Sequence, residues 1–300
     1  MQISTSLFYS NAATRFSQMS SRASDLQTQI STGKKILKPS DDPAAAQQLA
    51  ELDRKDADAA VYGTNITLAS SLLDQADGVL SQISTQLTRA SELATTAANG
   101  TQTDATRKVI ATELTSIIGS LVGLANTKNV RGQPLFGSAS GGAAVVDNKD
   151  GTFTFPPDVE VSEVPIADGQ TVQATESAKR IFTLPGGTDN TLEMLSKLAA
   201  TLNAGGDVSA SVASSLDQIT QSIDQVADVS ASVGARGARV DLQQQLLTSA
   251  NTDRSELRGK IEQVDVTDAV VQLQQMMTAL SASQASFSKL SSLSLFDYLK

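Results

Sequence analysis

The sequence predicts a mainly α-helical protein: a long, nested, coiled-coil-like helical bundle formed by both chain ends, with a small β-rich insertion in the middle. Three observations predict this fold class. Apolar residues recur three and four positions apart over most of the 300 residues. Aromatic residues make up only 4% of the chain, which favours helices packed through small side chains. Helical periodicity is lost between about residues 128 and 187, where Gly, Pro and Asp cluster.

The N-terminal segment is predicted to be a helix that ends at Gly33. Its apolar residues alternate in spacings of three and four, which is a strict heptad pattern along one helix face. Those residues are Tyr9, Ala12, Phe16, Met19, Ala23, Leu26 and Ile30. Residues 1–38 carry a charge of 5 − 1 = +4, whereas residues 262–300 carry 2 − 4 = −2. The two chain ends therefore attract each other weakly.

The C-terminal segment from 264 to 299 has a similar apolar face with few charges. The residues predicted to form it are Val266, Val270, Leu273, Met277, Leu280, Phe287 and Leu290, with Gln284 at one position. Such a helix has to bury its face against a partner. The N-terminal helix can be that partner within one antiparallel bundle, and neighbouring copies of the chain are the open alternative.

A linker is predicted between the first and second helices. Gly33 and Pro39 break the first helix, and Asp42 or Ser40 caps the second, with Pro43 in its first turn. The adjacent carboxylates of Asp41 and Asp42 are interpreted as caps and not as a cation site, because neighbouring side chains on a chain diverge.

The bundle helices follow in order. A helix from Pro43 to about Asn99 ends at Asn99-Gly100, and Thr103 or Asp104 caps the next. After the insertion, helices resume, break at Gly205-Gly206 and continue to about residue 261. We expect residues 1–42 to pair with 262–300 and the bundle segments 43–127 and 189–261 to pair with each other, around an inserted domain at 128–188.

Short β-strands are predicted inside the insertion. The predicted strands are 144–146, 152–155, 159–161, 171–173 and 180–184. The segment 147–151 lacks the oxygen ligand at the third position of a calcium loop and its distant Glu, and is interpreted as a hairpin turn. Thr188 or Asp189 is expected to cap the helix that follows.

The composition excludes several kinds of function. The chain contains no Cys and no His, so it lacks disulfides, thiolates and the commonest general base and metal ligand. We therefore expect no enzyme activity, no cofactor and no metal site. The net charge of −9 disfavours a nucleic-acid partner. No apolar stretch reaches the length of a membrane span, and the first residues show no cleaved secretory signal.

Several motifs resemble those of the bacterial flagellin superfamily. They are Ile3-Ser4-Thr5 near the start, Ser31-Thr32-Gly33-Lys34-Lys35, Pro39-Ser40-Asp41-Asp42-Pro43-Ala44-Ala45, Ala98-Asn99-Gly100-Thr101, Val233-Gly234-Ala235-Arg236, Ile261-Glu262 with Asp265, and Leu293-Ser294-Leu295-Phe296-Asp297. Within the superfamily, the Pro39 to Pro43 motif and the Leu295-Phe296 ending resemble the members at the hook–filament junction.

This resemblance implies a structural axial protein of the flagellum, exported unfolded without a cleaved signal and assembled outside the cell. The implied partners are copies of the chain, hook-associated protein 1, flagellin and an export chaperone before secretion. Filament flagellin, a cytoplasmic coiled-coil scaffold or signalling protein and a carboxylate hydrolase are the alternatives. The linker residues expected to matter are Gly33, Pro39, Asp42 and Pro43. The expected assembly interface comprises Ile3, Phe8, Tyr9, Phe16, Met19, Leu26, Ile30, Val266, Val270, Leu273, Met277, Leu280, Phe287, Leu290, Leu295 and Phe296.

Overall fold

The computed structural model describes residues 2–129, 132–137, 142–155, 163–184 and 190–298, with side chains described from residue 7 to residue 289 within these ranges. The predicted fold class is confirmed: the described chain is mainly helical, with two small antiparallel sheets in its middle third. The helices are α1 (Gln2–Thr32), α2 (Pro43–Ala98), α3 (Asp104–Ala125), α4 (Ala178–Phe182), α5 (Thr191–Ala204), α6 (Ser209–Glu262) and α7 (Val266–Tyr298).

The chain divides into two compact units. Residues 1–57 and 249–300 form one unit, here called the terminal unit, and residues 58–248 form the other, here called the central unit. The central unit contains the large apolar core. Its helices contribute side chains at helical spacing, and α3 packs against α5. Fully buried members include Leu80, Ile83, Leu87, Leu114, Leu121, Leu192 and Leu195.

Several helix ends agree with the sequence prediction. Thr103 caps α3 by accepting a hydrogen bond from the N–H of Thr106 at 3.3 Å. Gly205 ends α5 with a φ of 77°, a conformation that favours glycine. The cap of α5 is Asn190, which accepts from the N–H of Glu193 at 2.8 Å. Thr188 and Asp189, the predicted caps, lie outside the described residues.

The β-strands differ in part from the prediction. Strand β1 (Val146–Asp147) pairs antiparallel with β2 (Phe153–Thr154), and β3 (Glu163–Ala167) pairs antiparallel with β4 (Gln170–Gln173). The strand β3 was not predicted, and the predicted strand at 159–161 lies outside the described residues.

The prediction of a strand at 180–184 is wrong, because most of this segment belongs to the short helix α4. Ser177 caps α4 by accepting from the N–H of Arg180. Ala178, Ile181 and Phe182 then lie on one buried face, a spacing that suits a helical turn.

An ion-pair cluster attaches the insertion to α6 within the central unit. Arg236 donates to the backbone oxygens of Gln173 and Thr175, at 3.0 and 3.2 Å, and to the Glu176 carboxylate at 2.8 Å. Arg180 donates to the same carboxylate at 2.8 Å. Glu176 is only 3% exposed, so these two guanidinium groups are the buried carboxylate's ion-pair partners.

Helix α3 is long and apolar enough, by length and composition alone, to cross a membrane. The expectation that no such stretch exists was therefore too strict. One face of α3 is buried in the core through residues such as Leu114 and Leu121. This amphipathic burial is typical of a core helix in a helical bundle.

Candidate assembly interface

Helices α1 and α7 pack against each other in the terminal unit. We call them the terminal helix pair. The predicted apolar face of α1 is its less exposed face: Ala23 and Leu26 are buried, and Tyr9, Phe16 and Met19 are half-buried. The heptad pattern of α1 therefore marks the side that packs within the unit.

Four aromatic rings form a cluster at one part of the terminal helix pair. Phe287 of α7 stacks on Phe8 with ring centroids 6.2 Å apart and an interplanar angle of 17°. It meets Tyr9 and Phe16 edge to face, at 5.4 and 5.5 Å. These separations and angles are the favourable ones for aromatic pairs. Phe287 is therefore the main aromatic link between α7 and α1.

The less exposed face of α7 contains three of the predicted apolar residues and excludes Val270 and Met277. Its members repeat at spacings of four and three, as in a heptad. They are Ala269, Leu273, Met276, Leu280, Ser283 and Phe287. Leu273, Leu280 and Phe287 were predicted, whereas Val270 and Met277 are each displaced by one residue from Ala269 and Met276. One residue is 100° of helix rotation, so these predicted side chains point away from the packed face.

An exposed apolar surface remains on the terminal helix pair. Its members are 43 to 60% exposed, and we call them the outer apolar residues: Leu7, Phe8, Val266, Val270, Val271 and Met277. Large exposed apolar side chains of this kind are common on surfaces that bind another protein. Ile3, Leu290, Leu295 and Phe296 lie in the two helices but outside the residues whose side chains the structure describes.

The two interruptions between long helices pair with each other in the terminal unit. The N–H of Lys35 donates to the oxygen of Glu262 at 2.7 Å, and the N–H of Val264 donates to the oxygen of Gly33 at 3.0 Å. The Lys34 ammonium lies 3.0 Å from the Glu262 carboxylate. Gly33 has a φ of 71°, which a residue with a side chain rarely adopts. This pairing fixes the point from which both terminal helices extend.

The linker residues take the structural roles predicted for them. Asp42 caps α2 by accepting from the N–H of Ala45 at 3.0 Å, and Pro43 is the first residue of that helix. Asp41 accepts from the N–H of Leu37 and of Lys38. Pro39 lies in the turn closed by the hydrogen bond from the Asp41 N–H to the Lys38 oxygen. The linker is thus held by its own carboxylates.

Two arginines of α6 pair with two carboxylates of α2 inside the terminal unit. Arg254 donates to Asp56 at 2.8 Å, and Arg258 donates to Asp53 at 2.6 Å and to Asp56 at 2.9 Å. The hydrogen bond from Arg254 is the largest cause that lowers the pKa of Asp56. The hydrogen bond to Asp53 is the largest cause that raises the pKa of Arg258. Such exposed pairs contribute at most about 1 kcal/mol each.

Sequence reasoning missed Ala269, Met276, Ser283 and this charge cluster. For Met276 the signal was ambiguous, because it is followed by Met277. For Ser283 no apolar signal existed. The pairing of Asp56 with Arg254 joins residues 198 positions apart, which a single sequence does not indicate.

Comparison with known proteins finds similarity to flagellar proteins. The model of the bacterial flagellin N-terminal helical region matches residues 3–140. The N-terminal part of this chain therefore resembles bacterial flagellins. The match covers α1, the linker, α2 and α3, and therefore half of the terminal helix pair.

Two curated relatives of this chain are named flagellar hook-associated protein 3. The one from Salmonella typhimurium is 33% identical over 153 residues, which are 51% of this chain and 48% of that protein. The one from Escherichia coli is 26% identical over an alignment that covers 100% of both chains. The chain thus matches about half the length of the first relative and the whole length of the second.

A solved structure is also similar to this chain. It comes from Vibrio parahaemolyticus and carries the description of a flagellar hook-associated protein. The similarity has a TM-score of 0.69 at 26% identity and covers 74% of this chain and 100% of the other. The helical architecture described above is therefore similar to that of this hook-associated protein.

Proposed function

We propose that this chain is a structural axial protein of the bacterial flagellum that joins the hook, through hook-associated protein 1, to the flagellin filament. The observation that carries the proposal is the terminal helix pair with its outer apolar residues. A pair that packs on one side and leaves large apolar side chains on the other has a second face available for neighbours. The relatives named hook-associated protein 3 support the junction in preference to the filament.

The mechanism we propose couples folding to assembly. Helices α1 and α7 are held to each other mainly by half-buried side chains and one aromatic cluster. Among the side chains of these helices that the structure describes, only Ala23, Leu26 and Ala269 are buried. Such a pair gains little stability alone and becomes stable when neighbouring copies cover its outer apolar residues. The central unit, with its own large core, stays folded throughout and carries the insertion. The proposal includes the division of the chain expected from the sequence, into residues 1–42, 43–127, 128–188, 189–261 and 262–300.

The proposal includes the place and the partners. The chain is exported unfolded, without a cleaved signal, is held by an export chaperone beforehand, and assembles outside the cell with copies of itself, hook-associated protein 1 and flagellin. The absence of cysteine is compatible with passage through a narrow channel, since no disulfide can form in transit. We propose no catalytic function, no nucleic-acid partner and no membrane contact for it.

The test uses a strain that lacks the chain and is supplied with variants. Removing residues 264–300 should leave a soluble helical protein that supports neither motility nor filament attachment, so that hooks form and flagellin is shed into the medium. A finer variant is Met277→Lys, which adds a charge to the outer face without touching the face packed on α1. Val146→Lys, at an exposed residue of β1, is the matched control and should keep full function.

The outcomes separate the alternatives. If the strain without the chain makes complete filaments, the chain is not the junction protein, and recovery of the chain from cytosol would favour a scaffold. If the strain sheds no flagellin because the filament subunit itself is missing, the chain is a filament flagellin. If Met277→Lys and the truncation both restored motility, the assembly mechanism would be wrong.

A further inference from the structure

The turn between α2 and α3 contains the one Asn–Gly pair of the sequence, Asn99-Gly100. Both residues are exposed and follow directly after the last residue of α2. The other asparagines precede residues that carry side chains. This matters chemically because the backbone nitrogen after an asparagine can attack the side-chain amide only where the chain reaches an unusual conformation, which glycine permits at low cost.

The Asn99 side chain is held in one orientation. Its carbonyl oxygen Oδ1 accepts hydrogen bonds from the N–H of Thr101 at 3.1 Å and from the Thr101 hydroxyl at 2.9 Å. The backbone around it is also fixed, because the Asn99 N–H donates to the Thr96 oxygen and the Asn99 oxygen accepts from the Gln102 N–H. Within the described residues, the N–H of Gly100 donates to no acceptor. In the part of the chain that the structure describes, no acceptor therefore holds the proton of the Gly100 nitrogen, which is the atom that would attack.

We propose that Asn99-Gly100 is a self-modifying site that forms a succinimide and then isoaspartate or aspartate. The Gly100 nitrogen loses its proton to hydroxide and bonds to Cγ of Asn99. The bond from Cγ to Nδ2 breaks, and the nitrogen leaves as ammonia after taking a proton from water. Water then adds to either carbonyl of the five-membered ring, which opens to isoaspartate or aspartate. Asparagine and water are the only reactants.

The two Thr101 donors favour attack on the Asn99 amide in this turn. Negative charge develops on Oδ1 when the nitrogen attacks, and donors already placed on that oxygen stabilise it without reorganisation. The attacking nitrogen and the amide belong to adjacent residues, so no encounter has to be made. The product places a new negative charge just after the C-terminal end of α2, where a helix disfavours anions. Isoaspartate also lengthens the backbone between two core helices.

The experiment is an incubation of the intact purified chain at neutral and mildly alkaline pH, followed by peptide mapping with mass spectrometry. Deamidation increases the mass of the peptide by the difference between an amide and an acid. The Asp-Gly pairs at 77–78, 150–151 and 168–169 give no mass change on isomerisation, so they are distinguished. Asn203, exposed at the end of α5 and followed by Ala204, is the internal control. We expect deamidation at Asn99 at least about tenfold faster, equivalent to about 1.4 kcal/mol in activation free energy.

Variants test the geometry. Gly100→Ala should slow the reaction at least about tenfold, and it should fold, because an added Cβ meets no atom within 4 Å and the glycine has no positive φ. Thr101→Val should slow it while Thr101→Ser restores it, because only the hydroxyl separates them. Equal rates at Asn99 and Asn203, or an unchanged rate in Gly100→Ala, would overturn the proposal. An unchanged rate in Thr101→Val would overturn the role given to the hydroxyl donor.

Discussion

Replacing Phe287 with alanine should weaken the terminal helix pair more than any other single change in α7. The ring contacts three aromatic side chains of α1, Phe8, Tyr9 and Phe16, with centroid separations of 5.4 to 6.2 Å. All three contacts are lost together in Phe287→Ala. Phe287→Tyr keeps the ring and is the matched control.

The magnitude follows from burial and ring contacts. Truncating a fully buried phenylalanine to alanine costs about 3 to 5 kcal/mol. Phe287 is half-buried, so roughly half of this range applies. Aromatic pairs contribute about 0.5 to 1.5 kcal/mol each beyond burial, and these are included in the truncation cost. We therefore expect a loss of about 2 kcal/mol, which lowers an association constant about 30-fold when pairing is coupled to assembly.

The assay is binding of the purified chain to hooks isolated from a strain that lacks it. The apparent Kd should rise about 30-fold for Phe287→Ala and little for Phe287→Tyr. A double-mutant cycle with Phe16→Ala then measures the direct contact. If the two alanine substitutions were additive, or if Phe287→Ala bound hooks as the wild type does, the ring cluster would not hold the pair.

Further expected outcomes concern stability. Gly33→Ala should destabilise the terminal unit by about 1 kcal/mol because Gly33 has a φ of 71°. Gly78→Ala should stabilise the protein by about 0.5 to 1 kcal/mol, because Gly78 lies on the exposed face of α2 with open space around it. Urea unfolding measures both effects. Arg236→Ala should cost about 2 to 4 kcal/mol in the same assay because the buried Glu176 loses one of its two ion pairs, and Arg236→Lys should recover only part. The pKa of Asp56 is lowered in the folded state. The stability that its ionised carboxylate contributes is therefore fully present above the unfolded-state pKa and is lost as the pH falls through the folded-state pKa. A carboxyl NMR titration should show this lowered pKa, and removing its arginine partners should restore the usual value.

The helix boundaries could be predicted because they depend on local chemistry. The left-handed Gly33, the cap formed by Asp42 and the cap formed by Thr103 each act within a few residues of the sequence. The apolar face of α1 was equally clear, since polar residues flank nearly every apolar one and only one face is possible.

The insertion was harder to predict, because its contacts join distant residues. Arg236 meets Glu176 from 60 positions away, and this contact holds the segment that begins with α4. Two-stranded pairing depends on where the partner strand lies, and the short runs 146–147 and 153–154 carry little propensity of their own. The helical turn at Ala178–Phe182 was missed because a run of five residues does not separate helix from strand by periodicity.

The displaced face of α7 has a physical cause that bears on assembly. The helix carries apolar residues side by side at Ala269-Val270 and Met276-Met277, so two adjacent stripes satisfy the same spacing. The stripe through Leu273 and Met276 packs on α1, and the stripe through Val270 and Met277 stays exposed. An ordinary intramolecular helix pair needs only the first stripe, and exposing the second stabilises nothing in the free chain. We propose that a neighbouring copy covers the second stripe, and the different effects expected for Phe287→Ala and Met277→Lys follow from this division. Phe287→Ala weakens the contact between α1 and α7. Met277→Lys leaves that contact intact and prevents a neighbouring copy from covering the outer apolar residues.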